Sequence, residues 1–297
     1  MPFATIDDLQ QALAANNYVA DRSLTTAIFL SLKLQKPLLL EGEAGVGKTE
    51  VAKTLSAMLG RPLIRLQCYE GLDVNTTIYE WNYTRQMLQI RLLEAQGAAK
   101  DSQAIQNIFG PEFLIKRPLL QAIEASNEQP PILLIDEIDR ADEEFEAFLL
   151  ELLSDWQISI PELGTIRAAH PPAVVITSNR TREVHDALKR RCLFYWIDYP
   201  TLDKELQIVN AKVPGASERL SRQVVTFVQE LRKVDLYKLP GVAETLDWTR
   251  ALVALDAESL TESAVEDTLG AILKYQDDVA QVRGPTVRSL LEKSNIS

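Results

Sequence analysis

The eight residues Gly42-Glu43-Ala44-Gly45-Val46-Gly47-Lys48-Thr49 constrain this chain more than any other stretch. They fit the spacing G-x-x-x-x-G-K-[ST]. An apolar run, Pro37–Glu41, precedes them. An amphipathic pattern from Thr49 to Leu59 follows, with Val51, Ala52, Leu55 and Leu59 on one face. Glycines at these places let backbone N–H groups turn inward around an anion, and the helix that opens there adds its positive end. The spacing therefore predicts a strand–loop–helix unit that cradles nucleotide phosphates. Lys48 is expected to reach the β- and γ-phosphates and Thr49 to offer its hydroxyl to Mg²⁺, with Glu50 in the same ATP-binding set. ATP with Mg²⁺ is the expected ligand, and hydrolysis the expected reaction.

Four further apolar runs read like strands of a buried parallel sheet: Pro62–Leu66, Ile132–Ile135, Ala173–Thr177 and Leu193–Ile197. Helical patterns such as Glu143–Leu153 lie between them, so the fold class is α/β, a parallel sheet flanked by helices. The run Ile132–Ile135 ends in Asp136-Glu137. In doubly wound folds such a strand end lies beside the phosphate loop. Asp136 is expected to hold Mg²⁺, through water, and Glu137 to polarise the attacking water. Asp139, Asp142, Glu143, Glu144 and Glu146 follow and read as the solvated face of a helix. Thr76–Gly110 reads as a helical insertion carrying Ile78, Trp81, Met87, Leu88, Ile90 and Leu92, broken at Gly97 and the polar stretch 98–106. Trp156–His170 alternates like a hairpin, with a turn near Leu163-Gly164. After Pro200 the pattern is helical throughout, punctuated by Pro214-Gly215 and Pro240-Gly241. Two domains are expected: an α/β core over 1–200 and a small all-α lid over 201–297.

Composition narrows the partners. The net charge is −11, which argues against general binding to nucleic acid, since no long-range attraction draws such a chain to phosphate backbones. Two cysteines, Cys68 and Cys192, cannot staple 297 residues, and neither has metal-ligand spacing. The longest apolar runs are far too short to span a bilayer, and the first ten residues lack an apolar signal core. A soluble, cytoplasmic protein is expected.

These motifs together resemble the AAA+ ATPases, and within them the MoxR family. Ile176-Thr177-Ser178-Asn179 resembles the sensor-1 segment, which implies that Asn179 orients the lytic water. Ala187-Leu188-Lys189-Arg190-Arg191 resembles the arginine-finger segment, which implies that Arg191 enters the neighbouring subunit's ATP site, with Arg190 as the alternative. The family often has Arg-Phe there, where this chain has Arg191-Cys192. Asp247-Trp248-Thr249-Arg250 resembles the sensor-2 position, which implies a γ-phosphate contact for Arg250. The hairpin ahead of sensor 1 and the insertion after the second strand are similar to those of this clade. Tyr18 and Val19 fall where this fold commonly lines the adenine pocket.

The phrases Gln67–Asp73 and Gly241–Trp248 resemble the CoxD-like branch. That branch is associated with maturation of molybdenum-containing hydroxylases. The resemblance implies a hexameric ring, a partner with a von Willebrand A domain and a client metalloenzyme. The two rival readings are a DNA-directed motor of helicase type and a switch that binds ATP without turning it over.

His170 and His185 lack a second ligand at metal spacing, so no metal role is expected of them. Cys68 and Cys192 read as buried strand-end residues, with Arg190 and Arg191 near enough in sequence to lower the pKa of Cys192. Tyr79, Trp81 and Tyr83 read as packing residues, with a pore- or client-facing role as the alternative.

Overall fold

A computed structural model describes residues 3–95, 107–125, 129–161 and 163–296. The expected break at Gly97 and 98–106 lies outside the described residues. Five strands form one sheet: β1 (Leu38–Gly42), β2 (Leu63–Gln67), β5 (Ile132–Asp136), β8 (Ala173–Ser178) and β9 (Leu193–Ile197), in the order β2-β5-β8-β1-β9. These are the five apolar runs of the sequence. β2 pairs with β5 in parallel, placing Gln67 opposite Asp136, and β5 pairs with β8, placing Ile135 opposite Ile176. All five residues of β5 are buried, as are all five of β1. The reading of every run as buried on both faces fails at the margins. β2 and β9 are the edge strands, and most of their positions are partly open. Phe194 is exposed.

By packing, the chain divides into two compact units. One comprises Thr26–Leu40 and Leu55–Tyr195; the other joins Phe3–Thr25 and Glu41–Thr54 to Trp196–Ser297. In the first, Leu133, Ile135, Val174 and Ile176 from the sheet pack with Leu119, Leu120 and Ile123 of α6 (Pro118–Glu124) and with Phe145, Leu149 and Leu152 of α7 (Glu143–Asp155). Apolar residues at i, i+4 and i+7 put one stripe of α7 on the sheet. Asp142 caps that helix by accepting the Phe145 N–H at 2.9 Å.

The expected hairpin is present: β6 (Gln157–Ile160) and β7 (Gly164–Arg167) pair antiparallel. The insertion differs from expectation. Ile78 ends a short helix, α4 (Val74–Ile78), and Trp81 lies in a strand, β3 (Tyr79–Trp81), before α5 (Tyr83–Ala95) begins. β3 pairs with β4 (Leu114–Lys116), and Arg117 forms an ion pair with Glu80. A three-residue strand is too short to show a period of two, so this pairing is not visible in sequence. Trp81 packs edge-on against Tyr79 and Phe109, as the packing reading held, whereas Tyr83 is exposed.

The second unit contains six helices after Pro200, with no strand among the described residues beyond Ile197: α9 (Leu202–Lys212), α10 (Glu218–Leu231), α11 (Val242–Ala254), α12 (Glu262–Ile272), α13 (Gln276–Val282) and α14 (Pro285–Ile296). Leu220, Val224, Phe227, Val228 and Leu231 of α10 are all buried, as their spacing requires. They meet Trp248 and Leu252 of α11 and Val265, Leu269 and Ile272 of α12. Leu255 belongs to the apolar pattern by spacing but sits at the C-cap of α11 and is exposed. Among the described residues no helix is long and apolar enough to cross a membrane.

Candidate functional site

The phosphate loop lies between β1 and α3 (Lys48–Leu59). A Cβ on Gly42 would stand 2.2 Å from the Ile197 carbonyl oxygen, so no other residue fits there. Gly47 has φ +97°, a left-handed conformation that side chains resist. Lys48 is buried, and its ammonium donates to the carbonyl oxygens of Gly42, at 2.8 Å, and Glu43, at 2.6 Å. Its charge is thus held inside the curl of the loop. Val46 is buried; Ala44, Gly45 and Thr49 are partly open.

The same unit brings the first turn of α11 against the loop. The Ala243 N–H donates to the Gly45 carbonyl at 3.0 Å. A Cβ on Gly241 would stand 2.7 Å from the Ala44 oxygen, so a glycine is needed at this approach. Glu244 accepts the Gly241 N–H at 2.9 Å, the half of a capping box that a glycine N-cap allows, and this steadies the turn. Arg250 lies seven residues beyond Ala243, about 10 Å along the helix axis, and pairs with Asp247 at 2.9 Å on an exposed face. Glu50 pairs with Lys212 at 2.8 Å and with Lys53 at 3.6 Å. Burial raises the pKa of Glu50, but these two lysines outweigh it and the net shift is downward. Tyr18 and Val19 are half-buried in the connection between α1 (Ile6–Ala15) and α2 (Arg22–Leu34).

The acid half of the expected site is built in the first unit, at the ends of β2, β5 and β8. Asp136 is buried. Its Oδ1 accepts the Thr177 hydroxyl at 2.5 Å; its Oδ2 accepts Arg65 Nε at 3.0 Å and Arg65 Nη2 at 2.5 Å. Glu137 follows in left-handed geometry, φ 58° and ψ 52°, a conformation costing on the order of 1–2 kcal/mol for a residue with a Cβ. It is held there by two backbone contacts: its N–H donates to Thr177 Oγ1 at 2.9 Å, and its carbonyl accepts the Arg140 N–H at 3.0 Å. The turn swings the Glu137 carboxylate off the strand line and among three donors. These are Gln67 Nε2 at 3.0 Å, Asn179 Nδ2 at 3.3 Å and Arg140 Nε at 3.0 Å.

Two acids read as solvated are not. Asp139 is buried and accepts the N–H groups of Asn179, at 3.1 Å, and Thr181, at 2.9 Å, together with the Thr181 hydroxyl at 2.6 Å. Burial raises its pKa, but these hydrogen bonds outweigh that and leave it below 3.8. Glu146 is buried as well; it pairs with Arg182 and accepts the His185 N–H at 2.7 Å. A run of acids is solvated only where its helix faces water, and these two face the segment after β8.

Arg190 and Arg191 end α8 (Asp186–Arg191), both exposed, with Arg191 Nη1 donating to the Leu150 carbonyl at 3.0 Å. Burial pushes the Cys192 thiol up to about 12, with Lys36 the cation that opposes it. Burial and the charge of Asp136 push Cys68 to about 12. Cys68 is buried as expected and Cys192 half-buried, and the expected lowering of Cys192 by Arg190 and Arg191 gives way to an upward shift because burial outweighs the nearby charge. His185 caps α8 through Nδ1, which accepts the Ala187 N–H at 3.2 Å.

Sequence reading missed Arg65, Gln67 and the 241–244 turn as contributors. For the first two a signal exists: polar residues at i and i+2 in a strand share one face, and both stand in an otherwise apolar run.

Residues 37–192 match a family described as AAA domain (dynein-related subfamily). An uncharacterized protein of Staphylococcus haemolyticus is 27% identical over 276 residues, covering 90% of this chain and 95% of its own length. One of Staphylococcus saprophyticus is 26% identical over 280 residues, covering 91% and 96%. Among solved structures, a Thermotoga maritima RuvB mutant superposes with TM-score 0.48 at 15% identity, covering 93% of this chain and 73% of that one.

Proposed function

The chain belongs to the AAA domain family, dynein-related subfamily, and from that premise we propose that it is an ATPase acting as a ring of identical subunits. The observation that carries this is the pairing of a buried Asp136 with a Glu137 carboxylate turned out among Gln67, Asn179 and Arg140. Hydrolysis needs one group to hold the metal side and another to take a proton from water as it attacks the γ-phosphorus and the bond to ADP breaks. Asp136 and Glu137 divide those tasks. Asn179 orients the water, Lys48 supplies a point charge to the β- and γ-phosphates, and the loop's N–H groups hold the rest. The donor chemistry suits magnesium: the Thr49 hydroxyl and the Asp136 carboxylate are hard oxygen ligands, and magnesium takes few protein ligands beside phosphates and water. It supplies charge neutralisation at the phosphate oxygens. Asp136 already faces a guanidinium, so its environment is built for a positive charge.

Arg191, exposed at the end of α8, acts on the ATP site of the adjacent subunit, with Arg190 beside it. Tyr18 and Val19 flank the adenine. In functional terms residues 1–200 form the nucleotide core and 201–297 a lid. The finer reading is a MoxR-type, CoxD-like remodelling ATPase. It works in the cytoplasm as a hexamer with a von Willebrand A partner, on a metalloenzyme client. Its support is the wording of Gln67–Asp73 and Gly241–Trp248 and the hairpin β6–β7 ahead of β8.

Phosphate release measured across a dilution series tests the ring. The rate per subunit should fall as the assembly dissociates, because each site lacks its neighbour's arginine. A constant rate down to a demonstrated monomer overturns the ring; no release at any concentration overturns the ATPase.

A further inference from the structure

Two arginine–carboxylate pairs in this protein are built differently. Arg232 meets Glu205 through both oxygens, Nη1 to Oε2 at 2.6 Å and Nη2 to Oε1 at 2.7 Å, with both side chains buried, at 7% and 0% exposure. That is a permanent pair, since separating it would strand two buried charges. Arg65 instead sends Nε and Nη2 to one oxygen of Asp136. Asp136 is 3% exposed at its side chain and Arg65 is 51% exposed. The anion is fixed in the protein while its counter-charge stands half in water. Such a cation can leave at small desolvation cost if another positive charge takes its place.

We propose that Arg65 is a positioning residue that balances Asp136 before the divalent cation arrives, competes with that cation for the carboxylate, and ties its arrival to the release of Glu137. The proposal rests on Asp136 being the metal-side carboxylate. The link to Glu137 runs through one amide. Arg65 Nη2 also donates to Gln67 Oε1 at 2.5 Å, and Gln67 Nε2 donates to Glu137 Oε2 at 3.0 Å. Arg65 and Gln67 are two apart on β2 and so share a face. With Arg65 on Asp136, the Gln67 amide is oriented from one side by the guanidinium and holds Glu137 from the other. When Arg65 swings into water, the amide loses that orientation and Glu137 loses one of the donors that engage its carboxylate. A site filled by metal thereby gains a carboxylate freer to accept a proton, and a site without metal keeps it engaged.

The test reads metal binding rather than turnover. Binding of a fluorescent, non-hydrolysable ATP analogue is followed while Mg²⁺ is titrated, on the wild type, Arg65→Met and Arg65→Lys. Removing a competing charge a few ångströms from the cation should lower the half-saturating Mg²⁺ on the order of tenfold for Arg65→Met. Lysine keeps the charge but not the fork, so Arg65→Lys should fall between the two. An unchanged or raised Mg²⁺ requirement in both variants overturns the proposal. Arg65→Lys, which keeps the counter-charge on Asp136, carries the test if Arg65→Met does not fold. A wild type that binds no analogue overturns the ATPase reading and this inference with it; normal binding with unshifted metal demand overturns this inference alone.

Discussion

The phosphate loop and the acid-bearing strand ends belong to different packing units, and they are made in opposite ways. The loop is one contiguous stretch whose working groups are mostly backbone, shaped by glycines and drawn tight by the Lys48 ammonium on the Gly42 and Glu43 carbonyls. The strand ends use side chains from β2, β5 and β8 and from the segments that follow β5 and β8: Arg65, Gln67, Asp136, Glu137, Thr177 and Asn179 in one network, with Asp139 and Thr181 beside it. A backbone cradle fails as a whole when any part is displaced. A side-chain network can lose one function and keep another.

That contrast predicts separable defects at the strand ends and binding defects at the loop. The largest expected effect is Glu137→Gln. The amide keeps the size and cannot take a proton, so turnover should drop on the order of a thousandfold, with ATP binding intact. Phosphate release beside equilibrium nucleotide binding checks it, and substantial hydrolysis would remove Glu137 from its role. Lys48→Ala should weaken nucleotide binding itself on the order of a hundredfold, since it deletes the one cation held inside the loop. If it bound normally, the backbone alone would be sufficient.

Smaller effects sharpen the picture of what steadies each half. Gly241→Ala puts a methyl against the Ala44 carbonyl and should displace the loop, costing about tenfold in nucleotide affinity. Arg250→Ala, which removes only an exposed pair with Asp247, should change affinity less than about twofold. The reverse order would assign the γ-phosphate contact to Arg250. At the strand ends, Asp139→Asn should destabilise the fold by about 1–3 kcal/mol at neutral pH, because the buried group accepts three hydrogen bonds. The Asp139 pKa is lowered in the folded protein. Its contribution is therefore complete above the ordinary value of 3.8 and lost as the pH falls through the folded value. Urea melts of both proteins at neutral pH and near pH 3 should show the gap closing in acid. A gap independent of pH would mean that Asp139 carries no charge-dependent role.

Much of the sheet and the loop is legible in the sequence. All five core strands were found because buried parallel strands are short unbroken apolar runs, and the loop because its glycines and Lys48 act at fixed spacing within one segment. The β3–β4 pair could not be read, since its partners are three residues each and lie far apart in the chain. Nor could the solvation of Asp139 and Glu146, since a helix's charged face is known to be wet only once its neighbours are known.

By itself the sequence determined that a strand, a glycine-shaped turn and a helix meet at Gly42–Thr49, and that Asp136 and Glu137 end a buried strand. Both depend on local backbone geometry and on the burial of contiguous apolar residues. Only the tertiary structure decided that Arg65, rather than a residue near in sequence, faces Asp136, that Gln67 reaches Glu137, and that the 241–244 turn meets Gly45. Those contacts join residues 70 or more positions apart or separate helices and loops, and side-chain direction over such distances is set by packing rather than by local pattern.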